Sequence, residues 1–178
     1  PQWMTLSCGV NDVWHGANGV PLDAFKENIT ALVDKADAAG IKIMILTATM
    51  IMEDPDTANN KKLAPYNDFL RKLAQERGYR LADLSADMIA GVRKGKRYTY
   101  DGVHMSFEGN KMMASGILRA FGMTEAAIAA CNARWDDLPG TAKITLPLSE
   151  RQRKALADKA AATRKTMEEV VLERLGAK

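Results

Sequence analysis

Ile41–Thr47 (IKIMILT) is an almost uninterrupted apolar run between two long amphipathic segments, and it constrains the fold more than any other feature of the chain. A strand that is apolar on both faces has to be covered on both faces. That is the situation of an inner strand in a parallel sheet flanked by helices. Upstream, Pro21–Gly40 carries Phe25, Ile29, Leu32, Val33 and Ala36 at helical spacing and closes at a glycine, so it reads as a helix. Downstream, Leu63–Gly78 repeats the pattern with Leu63, Phe69, Leu70, Leu73 and Ala74; its Pro65 fits in a first turn or at a kink. Gln2–Ser7 and Tyr79–Leu84 read as neighbouring strands, and a short helix passes through Met88 and Val92. Lys94–Tyr100 is a basic loop, and Glu108–Phe121 is a third long helix with Met112, Met113, Ile117, Leu118 and Phe121 as its apolar stripe. Such alternation gives an α/β fold whose parallel strands are joined by right-handed crossovers.

The 178 residues suffice for one full core and a small appendage. No apolar run is long enough to span a bilayer. The net charge of +3 is unevenly placed: from Lys143 onward nine Lys or Arg face five Asp or Glu, which leaves −1 for the rest. Cys8 lies in an apolar run and reads as a small buried hydrophobe; a bridge to Cys131 has no support in the sequence. Beyond Gly122 the character changes. Thr124–Trp135 is Ala-rich and helical, Asp136–Thr141 is a linker, and two more helices cover about Glu150–Ala162 and Met167–Leu175. The expected division is therefore a domain at 1–123 and a helical extension at 124–178.

Two short motifs can carry chemistry. Gly9-Val10-Asn11-Asp12 follows the first strand, and Asp101-Gly102-Val103-His104 stands ninety positions later. Active sites of open parallel sheets lie beyond the carboxyl ends of the strands, and both motifs belong to that rim. A carboxylate three residues before a histidine can hold one ring nitrogen while the other faces a nucleophile. Taken alone, Asp101-Gly102 is a turn and His104 a helix-start residue. Likewise, Asn11 alone is a turn residue; on the rim its amide can donate to a developing oxyanion, which in other enzymes contributes roughly 3 kcal/mol. Asp12 reads as a brace for its loop. Trp3, Trp14 and His15 could border a pocket but read as packing, Met50–Met52 and Met112–Met113 as adaptable core, and Arg93–Arg97 as a solvated loop placed to influence anionic substrates.

In this order the motifs resemble those of the SGNH (GDSL-type) hydrolases, a family of serine esterases. Trp3–Trp14 (WMTLSCGVNDVW) is similar to the family's strand and Gly-x-Asn-Asp block. Tyr66–Leu84, with YNDFLRKLA and YRLADL, is similar to its helix and following strand. Thr99–Ala114 (TYDGVHMSFEGNKMMA) resembles its Asp-x-x-His block and the helix after it. The resemblance covers about residues 1–122. It implies a flavodoxin-like three-layer α/β/α fold with a parallel sheet, Asp101 as triad acid, His104 as triad base and Asn11 as oxyanion-hole donor. It further implies hydrolysis through an acyl-serine without metal or organic cofactor, and a small-molecule or carbohydrate ester as substrate, short acyl groups on a carbohydrate being preferred. The family's Gly-Asp-Ser block and second-block glycine have no counterpart, since only ten residues precede Asn11. Two strand–helix units of about 30 residues each would account for them. Ser7, inside a strand, and Ser106, two residues from His104, are not nominated as nucleophile. Without those strands Gln2–Ser7 becomes a bare edge, open to a complementing N-terminal segment or a second copy of the chain.

Lys143–Leu175 resembles ribbon-helix-helix DNA-binding domains, with Lys143 and Thr145 on the groove-facing side of a strand. Pro147 weakens that strand and the turn between the helices lacks a glycine. A helical cap or self-association element explains the same pattern, and nucleic acid is not an expected partner. The alternatives to an esterase are thus a non-catalytic remnant that binds through the same rim, or a DNA-binding dimer built on 143–178.

Overall fold

The computed structural model describes residues 1–137 and 147–174, in two compact units, Pro1–Pro139 and Gly140–Lys178. In the first unit β1 (Trp3–Ser7), β2 (Lys42–Leu46) and β3 (Arg80–Ala82) form a parallel sheet in the order β1-β2-β3. Leu6 pairs with Ile45 and Ile45 with Leu81, so β2 is the inner strand. Ile43, Met44, Ile45 and Leu46 are all buried, as the continuous apolar run requires.

The two faces of β2 feed two layers. Ile43 and Ile45 join Phe25, Ile29 and Val33 of α2 (Leu22–Ala38) and Leu63, Tyr66 and Leu70 of α3 (Ala58–Arg77) in one core. Met44 and Leu46 point the other way, with Ala82 and Leu84, against Met113, Ile117 and Ala120 of α5 (Phe107–Ala120). The result is a parallel sheet between helical layers. Shorter helices complete the unit: α1 (Val10–Trp14), α4 (Leu84–Val92) and α6 (Glu125–Asp136), the last packed on α5. Trp3 sits at the amino end of β1, edge-on to Phe121 with ring centroids 5.1 Å apart and with Arg80 over its ring, so it is a packing residue.

The helix expected from Leu63 starts a turn and a half earlier. Thr57 caps it by accepting from the Asn60 N–H, and Gly78 closes it in the left-handed region at φ 67°. Pro65 is therefore in the helix interior, where its missing N–H leaves the helical carbonyl four residues back without its usual donor. The third strand is shorter than Tyr79–Leu84 because Asp83 already caps α4, accepting from Ala86 N.

The helical stretch expected from 124 is shared between the units. In the second, α7 (Glu150–Thr163) opens with a Ser149–Gln152 capping box and packs against α8 (Met167–Arg174), burying Ala160 and Val170. Lys143, Thr145 and most of the strand expected around them lie outside the described residues. Among the described residues, no helix is long and apolar enough to cross a membrane.

Candidate active site

The rim beyond the carboxyl ends of β1 and β2 is built from three loops. The chain leaves β1 through Gly9, whose φ of 120° suits glycine and whose Cα lies so close to Ala48 that an added Cβ would sit 3.2 Å from the alanine methyl. Asn11 and Asp12 follow on α1. Asp12 accepts a hydrogen bond from Val20 N at 3.2 Å and so fastens the next loop. Asn11 is exposed, and its amide has no partner among the described residues.

The Asp101–His104 loop is a small hairpin. Ser106 N donates to the Tyr98 carbonyl, Tyr100 N donates to the His104 carbonyl, and Thr99 and Met105 form an antiparallel bridge. Within it Asp101 Oδ1 accepts from Val103 N at 3.0 Å and His104 N at 2.8 Å, and Asp101 Oδ2 lies 2.7 Å from His104 Nδ1. The bond with the imidazole, helped by the two backbone donors, holds the Asp101 carboxyl well below the usual carboxylate range. An ionised carboxylate only accepts, so the shared proton resides on Nδ1, and in the neutral form of the ring Nε2 is the acceptor. Among the described residues nothing occupies Nε2. It faces an open rim, the His104 and Asp101 side chains being 81% and 56% exposed.

Among the described residues no hydrogen bond joins the two motifs. Val103, between Asp101 and His104, lies on the same apolar cluster as Val10 and Val13 on either side of Asn11. The structure thus brings Asp101 and His104 into direct contact and leaves Asn11 exposed on α1, without a hydrogen bond among the described residues to either. Ser106 is spent as the cap of α5, accepting from Gly109 N at 3.2 Å.

The third loop, Thr47–Thr57, reads in the sequence as a polar loop around Glu53–Thr57 with Met50–Met52 as core, with no role in the site. Two asparagines of α3 clamp it. Asn67 accepts from Ala48 N at 2.7 Å and donates to the Ala48 carbonyl at 2.9 Å. Asn60 accepts from Ile51 N at 2.9 Å and donates to the carbonyls of Ile51 and Asp54 at 2.6 and 2.5 Å. The signal was present: both residues lie on the buried stripe of α3 with Leu63, Leu70 and Ala74, where an amide has to find partners. Among the described residues no group of three His, Cys, Asp or Glu side chains is arranged to hold a metal ion, and Cys8 and Cys131 are free thiols.

This architecture has known counterparts. An acetylxylan esterase from Geobacillus stearothermophilus superposes with a TM-score of 0.64 at 23% identity over 70% of this chain. The acetyl xylan esterase AlAXEase gives 0.64 at 30% identity, over 67% of each chain. An α/β hydrolase enzyme from the metagenome of Lake Arreo, Spain, gives 0.62 at 21% identity over 68% of this chain and 60% of its own. The chain spans 61% of the length of the Geobacillus enzyme. A search of curated proteins found no match. The GDSL-like Lipase/Acylhydrolase family model matches residues 1–112, and the chain belongs to that family.

Proposed function

We propose that this chain carries the acid–base half of a carboxylic ester hydrolase that removes short acyl groups from a carbohydrate, acetylated xylan being the favoured class. The observation that carries the reading is the 2.7 Å contact between His104 Nδ1 and ionised Asp101, which leaves Nε2 free on the rim. Family membership and the acetyl xylan esterase at 30% identity support it. In this reading Nε2 takes the proton from a serine hydroxyl as its oxygen attacks the ester carbonyl, and Asp101 stabilises the imidazolium so formed. Asn11 donates to the oxyanion. Collapse expels the alcohol, which receives the proton from His104; water then hydrolyses the acyl-serine by the same relay.

The attacking serine is contributed by polypeptide outside residues 1–178. Among the described residues, four of the five serines cap a helix, are paired or are buried, and Ser7 is an exposed strand residue. Ser106 and Ser149 cap helices, Ser115 pairs with Asn132, Ser85 is buried, and Ser7 lies in β1. The test is a fluorophosphonate serine-hydrolase probe on the complete natural polypeptide, with the adduct located by peptide mass. One adduct on a serine outside 1–178, lost in His104→Ala, is the expected result. An adduct on a serine within 1–178 overturns the assignment of the nucleophile. No adduct at all overturns the esterase reading in favour of a non-catalytic binding protein.

A further inference from the structure

Glu53 is joined to the Asp101–His104 hairpin more tightly than any motif suggests. Its side chain is only 7% exposed, and its Oε1 accepts from Tyr98 N at 2.6 Å, Thr99 N at 2.5 Å and Thr99 Oγ1 at 2.7 Å. Arg97 closes an ion pair on the other oxygen at 3.6 Å. One residue earlier Met52 N donates to the Gly102 carbonyl at 2.7 Å, inside the Asp-Gly-Val-His motif itself. Met52 and Glu53 both adopt left-handed backbone conformations, φ 63° and 49°, although neither is glycine. Such conformations persist where the surroundings over-determine them. Here the surroundings are Asn60 and Asn67, which fix the segment on both sides of Ile51 to buried positions of α3.

The connections form one path. Helix α3 holds the 48–54 segment through two asparagines, that segment turns back on itself at Met52 and Glu53, and Glu53 grips the first strand of the hairpin whose tip carries Asp101. The hairpin has little regular structure of its own, and both residues of its acid–base pair are exposed. Tyr98, Val103 and Met105 anchor it through apolar packing, and Glu53 adds the buried polar anchor of its first strand.

We propose that Glu53 is a positioning residue for the Asp101–His104 pair: by clamping Tyr98 and Thr99 it sets the orientation in which Asp101 meets His104 Nδ1. The inference rests on the reading of that pair given above. It assigns no contact between Glu53 and substrate.

The test reads the ring of His104 without requiring turnover. The chain has only two histidines, His15 and His104, so long-range proton–nitrogen correlation spectra resolve both. In the wild type, at a pH where the imidazole is neutral, the Nδ1–H tautomer of His104 is expected to predominate. Glu53→Ala is expected to end that predominance while His15 stays unchanged, and Glu53→Asp, one methylene short of the donors, to reduce it. A folded Glu53→Ala protein with an unaltered His104 pattern overturns the proposal; if that variant does not fold, an unaltered pattern in Glu53→Asp does so. Asp101→Asn separates the two readings. It should abolish the Nδ1–H preference whatever Glu53 does, and a His104 tautomer indifferent to Asp101→Asn overturns the pairing itself.

Discussion

At the scale of single residues the rim is governed by carboxylates that are held ionised. Burial alone would raise the Glu53 carboxyl. The hydrogen bonds from the Thr99 side chain and from Tyr98 and Thr99 N–H, together with Arg97, outweigh it and leave the group below its ordinary value. A depressed folded pKa means that the stabilisation is complete above the unfolded value of about 4.3 and is lost as pH falls through the folded one. The difference in urea midpoint between wild type and Glu53→Gln should accordingly be constant near neutrality and shrink below about pH 4; a gap that persists in strong acid contradicts the ionised clamp. Gly102 makes a second residue-scale case. Its φ is 95°, its Cα lies against Met52, and an added Cβ would overlap the Met52 sulfur and stand 3.2 Å from Met52 Cα. Gly102→Ala should therefore cost about 2 kcal/mol in chemical denaturation, from strain and displacement of the loop. On the proposed reading, His104→Ala in the complete polypeptide is expected to abolish ester turnover, and Asn11→Ala to lower kcat more than it raises KM, as loss of a group that acts in the transition state would.

At the scale of elements, α3 is the part on which the rim depends. Asn67 is buried and satisfies both backbone groups of Ala48 just past the end of β2. Asn67→Ala leaves a buried N–H and a buried carbonyl unpaired, and the loss should be about 3 kcal/mol, read as a lower urea midpoint with unchanged slope. A loss under about 0.5 kcal/mol, the range of ordinary surface changes, would show that water takes over the amide's role. The same helix shows what a sequence can and cannot disclose. Ile41–Thr47 was legible because burial on both faces needs an uninterrupted apolar run, and α2 because its stripe is wholly apolar. The first turns of α3 were not, because Asn60 and Pro65 oppose helix in local propensity while tertiary partners and the Thr57 cap favour it. In the candidate site, the contact between Asp101 and His104 was legible because it spans three residues. Glu53 was not, because its donors lie 45 and 46 positions away and no local pattern connects them.

At the scale of the whole molecule the telling feature is the outer edge of β1. Among the described residues β1 pairs only with β2. Gln2 O accepts from Lys42 N across that boundary, so by the alternation of a strand the even-numbered residues bond to β2. The odd-numbered Trp3, Thr5 and Ser7 therefore present their N–H and C=O groups outward. Thr5 and Ser7 are exposed as well, so one side of this edge is open both in its backbone and in its side chains. An open edge of this kind recruits another strand. In the complete polypeptide we expect a preceding strand to fill it; in residues 1–178 alone a second copy is the available partner. Sedimentation of this chain should then show a monomer–dimer equilibrium that shifts with protein concentration. Thr5→Pro distinguishes edge pairing from other association. Proline at an outward-facing position of an edge strand removes a donor that β2 does not use and spares the internal ladder. The variant is expected to stay folded, with unchanged far-ultraviolet dichroism, and to sediment as a monomer. A wild-type chain that is monomeric at all concentrations, or a Thr5→Pro chain that dimerises as well as wild type, shows that the edge is not where the molecule associates.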